Sequence, residues 1–135
     1  MAGYSPNPLW KKLGYKAERT VYVHGAPKSY RGELKLPDEE AVVWLKKPER
    51  GVMLIHAFST SMAELRKLIL EYRKLLAPDG SLWISWPKKA AKVETDVTED
   101  RVREIARPIG LVDVKICAID EVWSGLKLMI RKELR

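Results

Sequence analysis

The sequence predicts an α/β protein with a mostly parallel sheet, flanked by helices and ending in an antiparallel β-hairpin. Three observations indicate this class. Several apolar runs are continuous rather than alternating, which is typical of strands covered on both faces. One strand-helix-strand unit is clearly marked, and a short connection joins two further strand-like runs near the end of the chain. Because 135 residues suffice for one core, we expect residues 1–135 to form a single domain.

Four strand-like runs precede residue 90. They are residues 20–24 (TVYVH), 41–45 (AVVWL), 52–58 (VMLIHAF) and 81–86 (SLWISW). The connection KKPERG between the second and third runs is much shorter than the dozen or so residues that a parallel crossover normally needs. The second run is therefore predicted either as an antiparallel strand or as a short edge piece, and both alternatives stay open.

The clearest helix lies between the third and fourth runs. Apolar residues recur at helical spacing from Met62 to Leu76, and Ser61 with Glu64 matches a capping box. The residues PDG at 78–80 are expected to end this helix. A helix between two such strands predicts a right-handed crossover that joins parallel strands.

The last third of the chain predicts one more helix and a hairpin. The helix begins at a Thr98 cap and runs to about Pro108. After it, LVDVKICAI and LKLMIRKEL are predicted as strands, and the intervening DEVWSG is short enough to make them an antiparallel pair. Thr95 and Asp96, just before Thr98, are interpreted as capping residues rather than as ligands.

Charge and cysteine content restrict the class of protein. The net charge is +7 and the pI is near 9.5, which favours polyanionic or phosphorylated partners over acidic ones. Acidic residues are interspersed with the basic ones, as in RKLILEYRK and EDRVREIAR, and a solvated mixed-charge surface is favoured over a dedicated nucleic-acid face. The single cysteine, Cys117, excludes an intramolecular disulfide and is expected to be a small buried hydrophobe.

Membrane association is not expected. No apolar run approaches the roughly 20 residues of a membrane-spanning helix. The stretch MAGYSPNPLWKKLGYK lacks the apolar core of a signal peptide. We therefore expect a cytoplasmic protein.

The order of elements resembles the Rossmann-like fold of S-adenosylmethionine methyltransferases. LGYKAERTVYVHG is similar to the approach to that family's first strand, and LLAPDGSLWISWP to its helix, turn and fifth strand. The family follows its first strand with an acidic residue and a glycine-rich loop, whereas VYVHGAPKSYRG keeps only Gly25. Lys46 and Lys47 stand where an acid normally follows the second strand. The resemblance thus implies S-adenosylmethionine as a possible cofactor, although the motifs that usually bind it are missing. The identity of any cofactor therefore stays open.

A second resemblance is to a family of small bacterial proteins classified as a domain of unknown function. The phrases MAGYSPNPLWKKLG, WPKKAAKVETDVTEDRVREIA and GLVDVKICAIDEVWSGLKL carry it. They cover most of the chain. This family implies no established activity.

A ligand site is expected at the carboxyl ends of the parallel strands, where loops and helix N-termini gather. The strand SLWISW ends in Trp86-Pro87-Lys88-Lys89. The hairpin tip, the loop after the first strand and the start of the first long helix should open on the same edge. The predicted ligand-binding residues are Gly25, Ser59, Trp86, Lys88, Lys89, Glu121, Trp123 and Ser124.

Two indoles, two ammonium groups and free backbone donors at a helix start suit an anionic aromatic ligand such as a nucleotide. The favoured function is a non-catalytic binding or regulatory module for such a ligand. The alternatives are a divergent S-adenosylmethionine-dependent methyltransferase and a basic nucleic-acid-binding protein. A packing alternative also stays open, in which Trp86 and Trp123 cover the core together and the lysines only solubilise the strand end.

Catalytic and metal sites have no motif in the sequence. Asp120 and Glu121 are adjacent and are interpreted as turn residues rather than as an acid-base pair. His24 and His56 lie on strands that could be neighbours, but no third ligand is evident. We therefore predict neither catalytic residues nor a metal.

Overall fold

Residues 7–135 form a six-stranded sheet with helices on both faces. A computed structural model describes residues 7–135, so the beginning of the phrase MAGYSPNPLWKKLG lies outside the described residues. The strands are β1 (Thr20–His24), β2 (Val43–Trp44), β3 (Val52–Phe58), β4 (Leu76–Pro87), β5 (Leu111–Ala118) and β6 (Trp123–Ile130), in the spatial order β2-β1-β3-β4-β6-β5. The first four are parallel, and β6 is antiparallel to both β4 and β5. The predicted fold class is confirmed.

Within the described residues, four α-helices cover the sheet, namely α1 (Leu9–Leu13), α2 (Tyr30–Leu34), α3 (Met62–Leu75) and α4 (Glu99–Ala106). The predicted cap of α3 is present, because the Ser61 side chain accepts a hydrogen bond from the backbone N–H of Glu64. Thr98 caps α4 in the same way. α3 and α4 pack on one face of the sheet, which we call the α3 face, and α1 and α2 pack on the other, the α1 face.

Strand alternation divides the residues of β4 between these two faces. Leu82, Ile84 and Trp86 belong to the core on the α3 face, whereas Trp83 belongs to the core on the α1 face. Both of these cores are substantial, so the central strands are buried on each side. This explains why the sequence shows continuous apolar runs there instead of alternating ones.

β2 resolves the open question about residues 41–45. It is a two-residue edge strand that pairs in parallel with Thr20 and Val21, at the amino end of β1. Because β2 stops there, the chain has only a short distance to cover before β3 begins on the other side of β1. A short connection therefore suffices, and the antiparallel alternative was wrong.

The sheet also has a topological switch point. From β1 the chain passes to β2 on one side and then to β3 on the other side of β1. In open α/β sheets a crevice forms at the carboxyl ends of two strands placed in this way, and ligands bind there. In this fold the crevice lies beyond His24 and Phe58. Within residues 7–135, no helix is long and apolar enough to cross a membrane.

Candidate functional site

The carboxyl edge of the sheet brings together the loops that the sequence predicted would meet. β5 runs parallel to β4, so the hairpin tip between β5 and β6 lies beside the end of β4. The backbone N–H of Lys88 donates to Val122 O, 2.8 Å away, which fixes this contact. Gly25 and Ser59 follow β1 and β3 on the same edge. The convergence of these loops is therefore observed.

Trp86 and Trp123 do not form one stacking site. Trp86 is only 7% exposed and packs in the core of the α3 face. Trp123 packs on the α1 face, where its ring lies 5.2 Å from that of Phe58 in an edge-on arrangement. The predicted pair of indoles was wrong, and so was the alternative that the two rings cover the core together, because the sheet lies between them.

The two lysines after β4 have different roles. The ammonium group of Lys88 donates a hydrogen bond to the backbone oxygen of Asp120 and so ties the strand end to the hairpin tip. Lys89 is exposed and begins a short 3-10 helix. Together with Trp86 and Glu99 these lysines line a cleft of about 320 Å³. Only Lys89 of this pair is thus left for a ligand without breaking a contact of the fold.

This difference predicts a difference in stability. Lys88→Ala should lower the free energy of unfolding by about 1 kcal/mol, because a partly buried hydrogen bond from a charged group is lost. Lys89→Ala should change it by less than about 0.5 kcal/mol, since the residue is exposed. Urea unfolding of both variants measures the two values. Equal effects would contradict the structural role of Lys88.

The remaining predicted residues lie in the hairpin. Glu121 is exposed in its tip. Ser124 is half-buried and pairs with Trp86 of β4 and Ala118 of β5 in the register of the sheet. Asp120 has the turn role predicted for it, because its side chain accepts hydrogen bonds from the backbone N–H groups of Val122 and Trp123.

The N-terminus of α3 is already occupied. The backbone N–H of Met62 donates to the Asp96 carboxylate at 2.8 Å, and that of Ser61 donates to the Ser59 hydroxyl at 3.0 Å. Ser59 itself is buried. The donors of Ser61 and Met62, which were expected from the sequence to be free, are therefore already bonded. Asp96 caps α3 from a distant part of the chain, whereas the adjacent α4, which its position in the sequence indicated, is capped by Thr98.

The backbone conformation after β1 requires a glycine at position 25. Its φ angle is +70°, in the region that favours glycine, and a Cβ added there would lie 2.7 Å from Phe58 O. Next to it is a cleft of about 380 Å³, whose lining includes Lys28, Tyr30 and Arg31. The Arg31 guanidinium lies 3.9 Å from the centroid of the Trp44 ring, over its face. The charged side chains that line this cleft are thus both cations.

Sequence reasoning missed a contact between His24 and Glu64 beside Gly25. His24 ends β1, and its Nε2 lies 3.6 Å from the Glu64 carboxylate in the first turn of α3. Both side chains are partly exposed, at 31% and 49%. The pair bridges β1 and α3 at the switch point. Its signal in the sequence was only that His24 ends a predicted strand and that Glu64 belongs to the predicted capping box of the following long helix.

His24 and His56 do not share a site. His56 is fully buried on the α1 face, and its two ring nitrogens lie 2.7 Å from the Tyr30 hydroxyl and 2.7 Å from the Ser85 hydroxyl. Tyr30 is in turn hydrogen-bonded to Tyr15 at 2.8 Å. Burial lowers the pKa of His56 to about 3, so the ring is neutral at pH 7. Among the described residues, no three or more His, Cys, Asp or Glu side chains have a metal-binding arrangement.

Comparisons with known proteins identify the fold. No protein-family model matches the sequence, and no curated protein matches it. Solved structures do match. A SAM-dependent methyltransferase from Aquifex aeolicus is 19% identical with a TM-score of 0.60, and the match covers 94% of this chain and 90% of that one. The fold is of the methyltransferase type.

Other methyltransferases are equally similar in structure. A putative type 11 methyltransferase from Sulfolobus solfataricus is 16% identical with a TM-score of 0.59, over 98% of this chain and 95% of that one. Magnesium protoporphyrin IX methyltransferase from Synechocystis PCC 6803, solved with bound SAH, is 12% identical with a TM-score of 0.58 over 85% and 75% of the two chains. At these identities the methyltransferase-type similarity establishes the architecture of this chain.

Proposed function

We propose that the protein is a divergent S-adenosylmethionine-dependent methyltransferase, with its ligand at the switch point between β1 and β3. The observation that carries this proposal is the Gly25 cleft, which opens at the carboxyl end of β1 where an open α/β sheet binds nucleotide-like ligands. The similarity in fold to methyltransferases, one of them solved with bound SAH, supports the choice of cofactor.

The residues around Gly25 provide partners for both charges of the amino-acid part of this cofactor. Lys28 and Arg31 line the cleft and suit a carboxylate. No acidic side chain lines the cleft within the described residues, but Glu64 approaches the end of β1 from α3. Glu64 is therefore the group that would hold the ammonium. This set of residues differs from the acidic glycine-rich loop that the methyltransferase resemblance implied.

Methyl transfer to an O–H or N–H group of a substrate is aided by a group that accepts the proton. When bound, S-adenosylmethionine supplies an electrophilic methyl group, and the substrate atom that attacks it usually loses a proton. His24 is partly exposed at the switch point, and the neighbouring carboxylate of Glu64 can orient its ring. We assign His24 the role of general base.

The cofactor assignment is tested by calorimetric titration of the full chain with S-adenosylmethionine and with SAH. We expect saturable binding of both, and transfer of a labelled methyl group to a substrate in a cell extract. His24→Gln should leave binding of SAH within about twofold and reduce transfer by about 100-fold, the usual contribution of a positioned base. Absence of binding at millimolar concentration would exclude the cofactor. Transfer unaffected by His24→Gln would exclude the proposed base.

A second candidate function is binding of an anionic nucleotide-like ligand without catalysis. It is favoured by the cations in two clefts on the carboxyl edge. Lys28 and Arg31 line one, and the exposed Lys89 lines the other beside Glu99. The same titration distinguishes the candidates. Binding of adenosine phosphates in preference to S-adenosylmethionine would support the binding module and contradict the methyltransferase.

A further inference from the structure

A group of cations lies on the α1 face of the sheet, on β5 and β6. Lys115 and Lys127 occupy directly opposite positions of this antiparallel pair, and Lys127 is also opposite Trp83 of β4. The ammonium of Lys115 lies 5.9 Å from the centroid of the Trp83 ring. Since Trp83 belongs to the α1 face, both lysines lie on that face. They are separated from the clefts at the carboxyl edge.

Arg19, which precedes β1, completes this group. Its guanidinium donates a hydrogen bond to Gly14 O at 3.2 Å, at the end of α1. Partial burial lowers the pKa of Lys127, and the positive charges of Lys115 and Arg19 lower it further. Lys127 is therefore close enough to both Lys115 and Arg19 to be repelled by them. We call Arg19, Lys115 and Lys127 the basic patch.

The basic patch lacks the counter-charges that the other face of the sheet has. On the α3 face, Arg103 pairs with Glu99, Asp100 and Asp113, and Arg107 also pairs with Asp113. Within residues 7–135, none of the three cations of the basic patch forms an ion pair with a carboxylate. Like charges placed directly opposite on antiparallel strands are destabilising. An external anion would remove this repulsion.

We propose that the basic patch is a phosphate-binding site. Two ammonium groups and a guanidinium match a phosphate better than a carboxylate, because a phosphate carries more charge and more acceptor oxygens. The phosphate belongs either to a small molecule or to the backbone of a nucleic acid. The phosphate site does not depend on the function proposed above. Its two lysines lie on β5 and β6, and the basic patch shares no residue with the Gly25 cleft.

Thermal unfolding in pyrophosphate tests the site directly. Wild type, Lys127→Gln and the control Lys47→Gln, an exposed lysine near β2, are compared at equal ionic strength in sodium chloride and in pyrophosphate. In chloride, Lys127→Gln should raise the Tm by about 1–3 °C because one like charge is removed. Pyrophosphate should raise the Tm of wild type and of the control but not that of Lys127→Gln. Equal pyrophosphate shifts in all three proteins would overturn the proposal.

Binding of a labelled oligouridylate distinguishes the source of the phosphate. If the phosphate belongs to a nucleic acid, Lys115→Gln and Lys127→Gln should each weaken oligouridylate binding about tenfold. Each should also reduce the slope of log affinity against log salt concentration by about one, because one fewer counterion is released. Lys47→Gln should change the affinity by less than about twofold. If oligouridylate does not bind while the pyrophosphate shift is selective, the site is one for small phosphates. Oligouridylate binding that all three substitutions leave unchanged, together with equal pyrophosphate shifts, would overturn both assignments.

Discussion

Lowering the pH from 7 to 4.5 is expected to reduce the free energy of unfolding by about 2.5 kcal/mol through His56 alone. The pKa of this histidine is about 3 in the folded protein, where burial lowers it, and 6.5 in the unfolded chain. Between these values the unfolded state binds a proton that the folded state excludes. The stability that depends on neutral His56 is therefore complete above pH 6.5 and is lost as the pH falls towards 3. Urea unfolding at a series of pH values measures this loss.

The variant His56→Gln separates this effect from the titration of other groups. Glutamine can donate to one neighbouring hydroxyl and accept from the other, but it does not titrate. We expect the variant to be less stable than wild type at pH 7, because the hydrogen bonds to Tyr30 and Ser85 change in geometry. Its stability should vary little between pH 7 and 4.5. A slope equal to that of wild type would show that His56 is not the group responsible.

The same hydrogen-bonded chain shows what the sequence could not predict. Tyr15, Tyr30 and His56 are far apart in the sequence, and nothing in their local patterns connects them. They meet because α1 and α2 both pack on the α1 face over β3. The sequence indicated a buried strand around His56, whereas the partners of its ring depended on how two helices of five residues each are placed.

The sheet itself was predictable because its signals are local. Continuous apolar runs, the Ser61 cap and the short DEVWSG connection each specify an element or a direction without reference to distant residues. The prediction that several loops meet at the carboxyl edge followed from the direction of the strands. The exception was β2. The short KKPERG connection to β3 did not determine the direction of β2, because its length is explained only by the pairing of β2 with the amino end of β1.

The composition of the carboxyl edge was less predictable, because it depends on which face each side chain occupies. Trp86 and Trp123 both lie where β4 and β6 meet, but β4 positions alternate between faces and the register sets Trp123 opposite Pro87 rather than Trp86. A shift of one residue would have placed both rings on one face. Lys88 likewise appeared to be a free cation in the sequence, and only the packing of the hairpin tip shows its hydrogen bond to Asp120.

Gly25→Ala is expected to reduce the free energy of unfolding by about 2–4 kcal/mol. The positive φ angle at Gly25 costs an alanine about 1 kcal/mol or more. The added methyl group would also lie 2.7 Å from the oxygen of Phe58, so β1 or β3 would have to move, at a further cost of about 1–3 kcal/mol. Because the chain passes from Phe58 through Ser59 to the start of α3, this movement should also disturb the switch point. Urea unfolding measures the loss of stability.

Gly14→Ala is the matched control for the effect of backbone angle. Gly14 has a φ angle of +89°, but a Cβ there would meet no atom within 4 Å. Its substitution should therefore cost about 1 kcal/mol, from the backbone alone. The difference between the two variants isolates the collision between β1 and β3. If SAH binding falls in Gly25→Ala but not in Gly14→Ala, at a temperature where both are folded, the ligand site includes the switch point. If both retain wild-type affinity, the ligand binds elsewhere on the sheet.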